Sequence, residues 1–482
     1  MKLLACLSTC VIFLSANAQW TVVSLHQSSV FVSSYAFGVD GAHQVGIAQI
    51  GLNEHASLWT GNAGSWVDLN PTGATESYAN AVSGNQQVGY STFSGSNHAG
   101  YWTGTAGSWV DLNPSISSAS EAYAIANNQQ VGWSTVGFSA HAALWNGTAE
   151  NYVDLNPTIA TQSYAYGAGG GQQVGSAVLS GFQRASLWTG SAGSWVNLHP
   201  SGSSQSRAFA ADGGQQVGWA LIGSVFHASL WTGTAASWTD LTPTGAAYAY
   251  AYGVSGGQQA GYASIAGAQH AGIWSGTAAS WVDLNGYIPA GLTNSNAYAI
   301  WHQGGTTYVA GVGFDDSFSR QEALLWISQS AQTINANSTS LAPGIVISGT
   351  PADMNASDDM YYVLRPGVVL SSSQSPIVLT NSYTLPANNA TALSSVVESH
   401  AQQANIRQTI EAFNFSTNTY NQQNQRVLPT TDTVVTSNLT PPANYIGGGN
   451  EVRLKISYKA VGPILAYPWR IYIDEATLRF TP

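Results

Sequence analysis

Histidine is the first chemically capable residue to recur. His55, His98, His141, His227 and His270 occupy equivalent places in a repeated segment, and imidazoles gathered around an axis are metal ligands. The same place holds Arg184 in one copy and Glu322 in another, so the reading that suits a repeat is one hydrogen bond per copy to a neighbouring turn. Aspartate follows the same beat at Asp68, Asp111, Asp154, Asp240 and Asp283, with Asn197 in the odd copy. Glycoside hydrolysis needs two carboxyls in unlike environments. Equivalent copies supply like ones, so each Asp is expected to accept hydrogen bonds from turn N–H groups.

Residues that break the repeat are the better binding candidates, because the fold does not dictate them. Behind a recurring glycine stand Ile47, Tyr90, Trp133, Ser176, Trp219, Tyr262 and Val312. Tyr90, Trp133, Trp219 and Tyr262 are therefore the candidate ligand-binding residues, able to stack on sugar faces or apolar peptide groups. The alternative is that they pack against the next unit. Calcium is the one cofactor that spacing raises, at Asp353, Asn355, Asp358 and Asp359. The segment lacks the EF-hand glycine and has Leu364 where a bidentate Glu belongs, so a solvated turn is the expectation. No phosphate loop, zincin pair or nucleophile elbow is present, and neither a catalytic residue nor any other cofactor is assigned.

The elements that position these residues are set by a repeat of 43 residues. Gly46, Gly89, Gly132, Gly175, Gly218 and Gly261 keep that interval, and so do Trp59, Trp102, Trp145, Trp188, Trp231 and Trp274. A looser seventh copy carries Gly311 and Trp326. Within a copy, alternating runs such as 77–82 and 86–91 are separated by turn residues, and Asn113-Pro114 stops the fourth run. Four short strands per copy is the content of a propeller blade. The expected fold is all-β: a seven-bladed β-propeller over 19–328, a linker over 329–343 and a β-sandwich over 344–482. Residues 22–26 or 332–335 would close the ring, and an open solenoid is the structural alternative.

The unit Tyr-Ala…Gln-Val-Gly…His-Ala-x-Leu-Trp…Asp-Leu, seen at His55-Ala56-Ser57-Leu58-Trp59 and His141-Ala142-Ala143-Leu144-Trp145, resembles the HAF repeat of extracellular bacterial proteins. It departs from that pattern by placing Ser, Gly or Ala where the family prefers Phe. The resemblance covers about residues 19–328, implies an exported, propeller-like protein, and brings no catalytic residue.

Composition agrees with turn-rich β-structure: of 482 residues only 7% are charged, while Gly reaches 51 and Trp 17. Lys2, the apolar run 3–14 and Ala16-Asn17-Ala18 read as a signal peptide over 1–18, with Gln19 as the expected mature start. Cys6 and Cys10 would leave with it, so no disulfide framework is expected. No later stretch is long and apolar enough for a transmembrane segment. Between Gln19 and Ser328 the basic residues are Arg184, Arg207 and Arg320, which excludes a cationic surface for nucleic acid. The expectation is a secreted, non-catalytic binding or surface-interaction protein whose partner is an extracellular polymer or a surface protein. The alternatives are a carbohydrate-active hydrolase or lyase with its site in the funnel, and a purely structural cell-surface protein.

Overall fold

A computed structural model describes residues 19–303, 305–315, 320–329, 331–388 and 390–481. The expected leader, residues 1–18, lies outside the described residues. The chain is all-β and divides into two compact units, one spanning Gln19–Ser328 and the other Gln329–Pro482.

The first unit contains seven four-stranded antiparallel sheets among the described residues. The first sheet runs Ser34–Asp40, His43–Ile50, Asn53–Trp59 and Val67–Asp68, and five sheets of the same plan follow. Tight turns make the hairpins. Asn127 and Asn128 (φ 51° and 60°) and Gly170 and Gly171 (φ 59° and 77°) take the doubly left-handed conformation that matches the twist of paired strands. The seventh sheet joins Asn294–Gln303, Thr306–Asp315 and Arg320–Gln329 to Gln19–Ser24, which takes the outer place. Leu25 continues the contact, its N–H donating to Ala323 O at 2.9 Å. The rival closing strand, Gln332–Ile334, pairs instead with Ile471–Thr481 in the other unit.

Tryptophan holds the sheets to one another in cyclic order. Trp102 lies among Val45, Leu58 and Leu69 of the preceding sheet, and Trp145 among Val88, Ala99 and Leu112. Trp326 repeats this on Ala271, Ile273 and Leu284. Trp59, in the first sheet, packs on Leu25, Ala310, Ala323 and Leu325 of the seventh, so the order returns to its start. Every one of these indoles is fully buried, and each is worth about 3–5 kcal/mol against truncation to alanine.

The recurring glycine has a cause inside its own sheet. A Cβ on Gly132 would lie 1.8 Å from Glu121 O, and one on Gly89 1.7 Å from Tyr78 O. The close approach is therefore to the first strand's backbone within the same sheet.

The second unit has two antiparallel sheets. One orders Ile345–Ser348, Tyr362–Arg365, Ile471–Thr481, Ala392–Ala401 and Thr433–Asn438, with Gln332–Ile334 attached to Ile471–Thr481; the other orders Ser338–Leu341, Ile377–Thr384, Glu451–Ala460, Ile406–Asn414 and Thr419–Val427. They share a core in which Leu364, Val397, Ile471 and Ile473 meet Ile377, Leu379, Ile410 and Ile456. The expected linker, 329–343, is corrected: Gln332–Ile334 and Ser338–Leu341 are paired strands of this unit. Polar residues at alternate positions serve the outer face of an edge strand as well as a free linker.

Candidate functional site

Every first strand in the ring contains a bulge at the same place. In the first sheet the ladder steps from Ala36↔Gly46 to Gly38↔Val45 and leaves Phe37 unpaired. The same step leaves out Asn80, Tyr123, Tyr166, Phe209, Tyr252 and Tyr298. A bulge re-aims the extra side chain, and here all seven line one cavity of about 720 Å³ walled by the first strands of all seven sheets. Small residues after the bulge let these strands touch: a Cβ on Gly38 would lie 2.9 Å from Ala81 Cα, and one on Gly167 2.7 Å from Ala210 Cα.

The six aromatic members form a crown. Ring centroids are 5.3 Å apart for Tyr123 and Tyr166, 5.8 Å for Tyr166 and Phe209, and 4.7 Å for Phe209 and Tyr252. The chain continues through Tyr298, 5.6 Å from Tyr252, to Phe37, 5.7 Å further on. Asn80 fills the gap, its Nδ2 donating to Ala122 O at 2.8 Å. Burial pushes the phenols of Tyr123, Tyr166, Tyr252 and Tyr298 above the ordinary tyrosine range. They stay neutral near pH 7 and act as hydroxyl donors rather than bases. Asp40 and Asp212 also reach the cavity, but each accepts from a backbone N–H of the next sheet's turn, Gly84 and Gly256 respectively.

Two residues before each bulge lies a second layer: Tyr35, Tyr78, Glu121, Tyr164, Arg207, Tyr250 and Asn296. Burial pushes the Tyr250 phenol up to about 12, with neighbouring Tyr248 adding to it. Glu121 accepts from Asn97 Nδ2 at 2.7 Å, Tyr123 OH at 2.6 Å and Trp133 Nε1 at 3.2 Å. Arg207 donates from Nη2 to Gln183 Oε1 at 2.9 Å, and its guanidinium carbon stands 4.8 Å from the Tyr166 ring centroid.

The four sequence candidates stand directly across from this layer, on the second strands. Tyr90 pairs with Tyr78, Trp133 with Glu121, Trp219 with Arg207 and Tyr262 with Tyr250. Tyr90 stacks on Tyr78 at 4.7 Å, Trp219 lies 5.9 Å from the Arg207 guanidinium, and Tyr262 lies 5.2 Å from Tyr250. None of the four is among the residues that wall the 720 Å³ cavity. They back the residues around the axis. The crown itself escaped sequence reasoning, although one signal was present: positions 37, 80, 123, 166, 209 and 252 keep the 43-residue interval with an aromatic at all but one.

Histidine and aspartate, read as separate columns, form one pair in each of five sheets, with neither residue among those that wall the cavity. His55 Nδ1 meets Asp68 Oδ2 at 2.8 Å, and His98, His141, His227 and His270 repeat this with Asp111, Asp154, Asp240 and Asp283. The other oxygen accepts the backbone N–H two residues on, as Asp68 Oδ1 does from Asn70 at 2.8 Å. In the second unit, Asp353 Oδ2 accepts from Thr350 N at 2.7 Å and Asp358 Oδ1 from Met360 N at 3.1 Å, while Asp474 accepts from the N–H groups of Asp358 and Asp359. Each carboxylate thus serves a different group. Among the described residues no cluster of three or more His, Cys, Asp or Glu is placed to hold a metal ion, and no helix is long and apolar enough to cross a membrane.

No protein-family model matches the chain, and no curated protein sequence does. Among solved structures, a mutant puromycin hydrolase complexed with PGG has a TM-score of 0.44 at 11% identity over 76% of this chain, which spans 62% of the hydrolase's length. TolB from Acinetobacter baumannii has a TM-score of 0.34 at 11% identity, covering 60% of this chain and 81% of its own. A family 29 carbohydrate-binding module has a TM-score of 0.20 at 7% identity, covering 31% of this chain and 92% of its own. At these scores the likenesses carry no argument about activity or ligand.

Proposed function

We propose that residues 19–328 are a seven-bladed β-propeller of the HAF-repeat type, that the second unit is a β-sandwich, and that the chain is an exported, non-catalytic binding protein. Its ligand, part of an extracellular polymer or a surface partner, enters the axial cavity and stacks on the crown. The cyclic packing of the tryptophans supports the propeller. The observation that carries the binding role is the aromatic side chain at six of the seven bulges lining one cavity. Asn80 occupies the seventh bulge with the same pairing, so blade geometry does not require a ring there. Aromatic walls around a concave space suit sugar faces and apolar groups. The cavity carboxylates of Asp40 and Asp212, tied to backbone N–H groups, are not arranged as an acid and base.

The test is a glycan and cell-wall binding array run with the wild-type chain and with a Tyr166→Ala/Phe209→Ala pair. A wild-type signal that falls at least tenfold in the pair is the expected result. A signal of equal strength in the pair, with its β-sheet circular dichroism intact, would remove the crown from the function.

A further inference from the structure

The layer beside the crown holds one anion and one cation among five uncharged members. Tyr35, Tyr78, Tyr164, Tyr250 and Asn296 carry no charge, while Glu121 and Arg207 do. Among the three basic residues of this unit, Arg320 pairs with Glu322 at 2.6 Å and Asp315 at 3.6 Å, and Arg184 bonds His199 and Ser204 O. Arg207 has no carboxylate within 4 Å among the described residues. Its charge faces the rings of Tyr166, Phe209 and Trp219 at 4.8, 5.7 and 5.9 Å, and its Nε is buried with no hydrogen-bond partner. A guanidinium offers a planar fork that matches a carboxylate. Ring faces satisfy its charge, and Gln183 Oε1 at 2.9 Å takes one N–H from Nη2, which leaves the other donors of that fork without a side-chain acceptor among the described residues.

Glu121 is the converse case. Its three donors, Asn97, Tyr123 and Trp133, are neutral, and no cation lies within 4 Å among the described residues. Glu54 and Glu76 deepen the negative field on its side: with Glu121 they raise the Tyr90 phenol beyond what burial does. Tyr164 sits between the two charges, feeling Arg207 in one direction and Glu121 in the other. Glu121 and Arg207 are two sheets apart with that tyrosine between them, so they do not pair with each other.

We infer that this layer binds a zwitterion, Arg207 taking its carboxylate and Glu121 its ammonium, with Tyr164 between them covering the body of the molecule. This rests on the axis being a binding site. A ligand whose two charges meet residues two sheets apart with a side chain between them has to be extended, and an extended chain advances about 3.3 Å per residue. A short peptide with free ends is the ligand class.

Titration calorimetry of the full chain with Gly-Phe-Gly, its N-acetyl form, its C-terminal amide and the doubly blocked peptide tests the assignment. The free tripeptide is expected to bind, and blocking either end to weaken it about tenfold. In Arg207→Gln the amide should bind as the free acid does, and in Glu121→Gln the acetylated peptide as the free amine does. Equal affinity of all four peptides for wild type, no binding of the free tripeptide, or an undiminished cost of amidation in Arg207→Gln would each overturn it. Should either variant fail to fold, the four peptides on wild type decide alone. A flat peptide series beside an array signal lost in Tyr166→Ala/Phe209→Ala would leave the crown standing and remove only the zwitterion.

Discussion

The axis and the periphery of the ring use the 43-residue interval in opposite ways. Away from the axis, the His–Asp pair is copied into five sheets at 2.7–2.8 Å. Where the fourth sheet departs, it departs in concert: Arg184 replaces the histidine, Asn197 the aspartate, and His199 the asparagine two residues on, and Arg184 and His199 bond each other. At the axis, the bulge position changes from Phe to Asn to Tyr while its backbone stays the same, and the layer beside it admits single, unmatched charges. Side chains that satisfy backbone groups must be kept or exchanged as a set. Side chains that face a cavity are free to differ.

Backbone substitutions should break this contrast most severely. Gly132→Ala sets a Cβ 1.8 Å from Glu121 O, which no rotamer change relieves, so the first strand has to move. A loss of about 3 kcal/mol or more is expected in denaturant unfolding. Gly107→Ala, where an added Cβ has nothing within 4 Å, should cost well under about 1 kcal/mol. Equal effects would mean that the bulge is not held by the glycine.

Exchanges of side chain sharpen the comparison at a smaller scale. Asp154→Ala leaves His141 Nδ1 and the Asn156 N–H without their partner, at about 1–2 kcal/mol in this half-exposed setting. Asn80→Tyr forfeits one hydrogen bond to Ala122 O and gains aromatic neighbours, so the two terms, each about 1 kcal/mol, nearly cancel. If thermal unfolding showed the axial exchange to be the costlier of the two, the division into constrained periphery and free axis would be wrong.

The ring was legible because repetition is visible without coordinates: the glycine and tryptophan columns mark the strands, and Val22–His26 could be matched to a fourth strand by its pattern. The crown was hidden by the bulge. Strict alternation assigns Phe37 and its equivalents to one face, but an extra residue in the strand changes which face it serves, and no residue type announces that. The His–Asp pair was seen as two columns because its 13-residue separation spans a short helical turn such as Ala63–Ser65, whose reversal periodicity does not report. Arg207 was visible as one of three basic residues, but that it lacks an anion shows only in three dimensions.

The smallest expected effect separates two histidines that stand in for asparagine. In most sheets a serine hydroxyl accepts a backbone N–H and donates to an asparagine, as Ser77 does between Ala56 N and Asn70 Oδ1. In the closing segment Ser34 Oγ accepts from Ala323 N at 3.0 Å and lies 2.9 Å from His26 Nδ1; in the fourth sheet Ser206 Oγ accepts from Ala185 N and lies 2.7 Å from His199 Nδ1. Burial lowers the His26 pKa below 6.5, and burial followed by the Arg184 charge does the same to His199. With folded values below the unfolded one, the unfolded chain binds more protons between them, so stability is complete above about pH 6.5 and declines as pH falls through that window. Thermal unfolding from pH 8 to pH 5 should therefore show a falling Tm in wild type and a shallower fall in His26→Asn, shallower again in His26→Asn/His199→Asn. Asparagine supplies the acceptor at every pH, as Asn70 already does. An unchanged slope in the double variant would place the acid sensitivity outside the ring's serine relays.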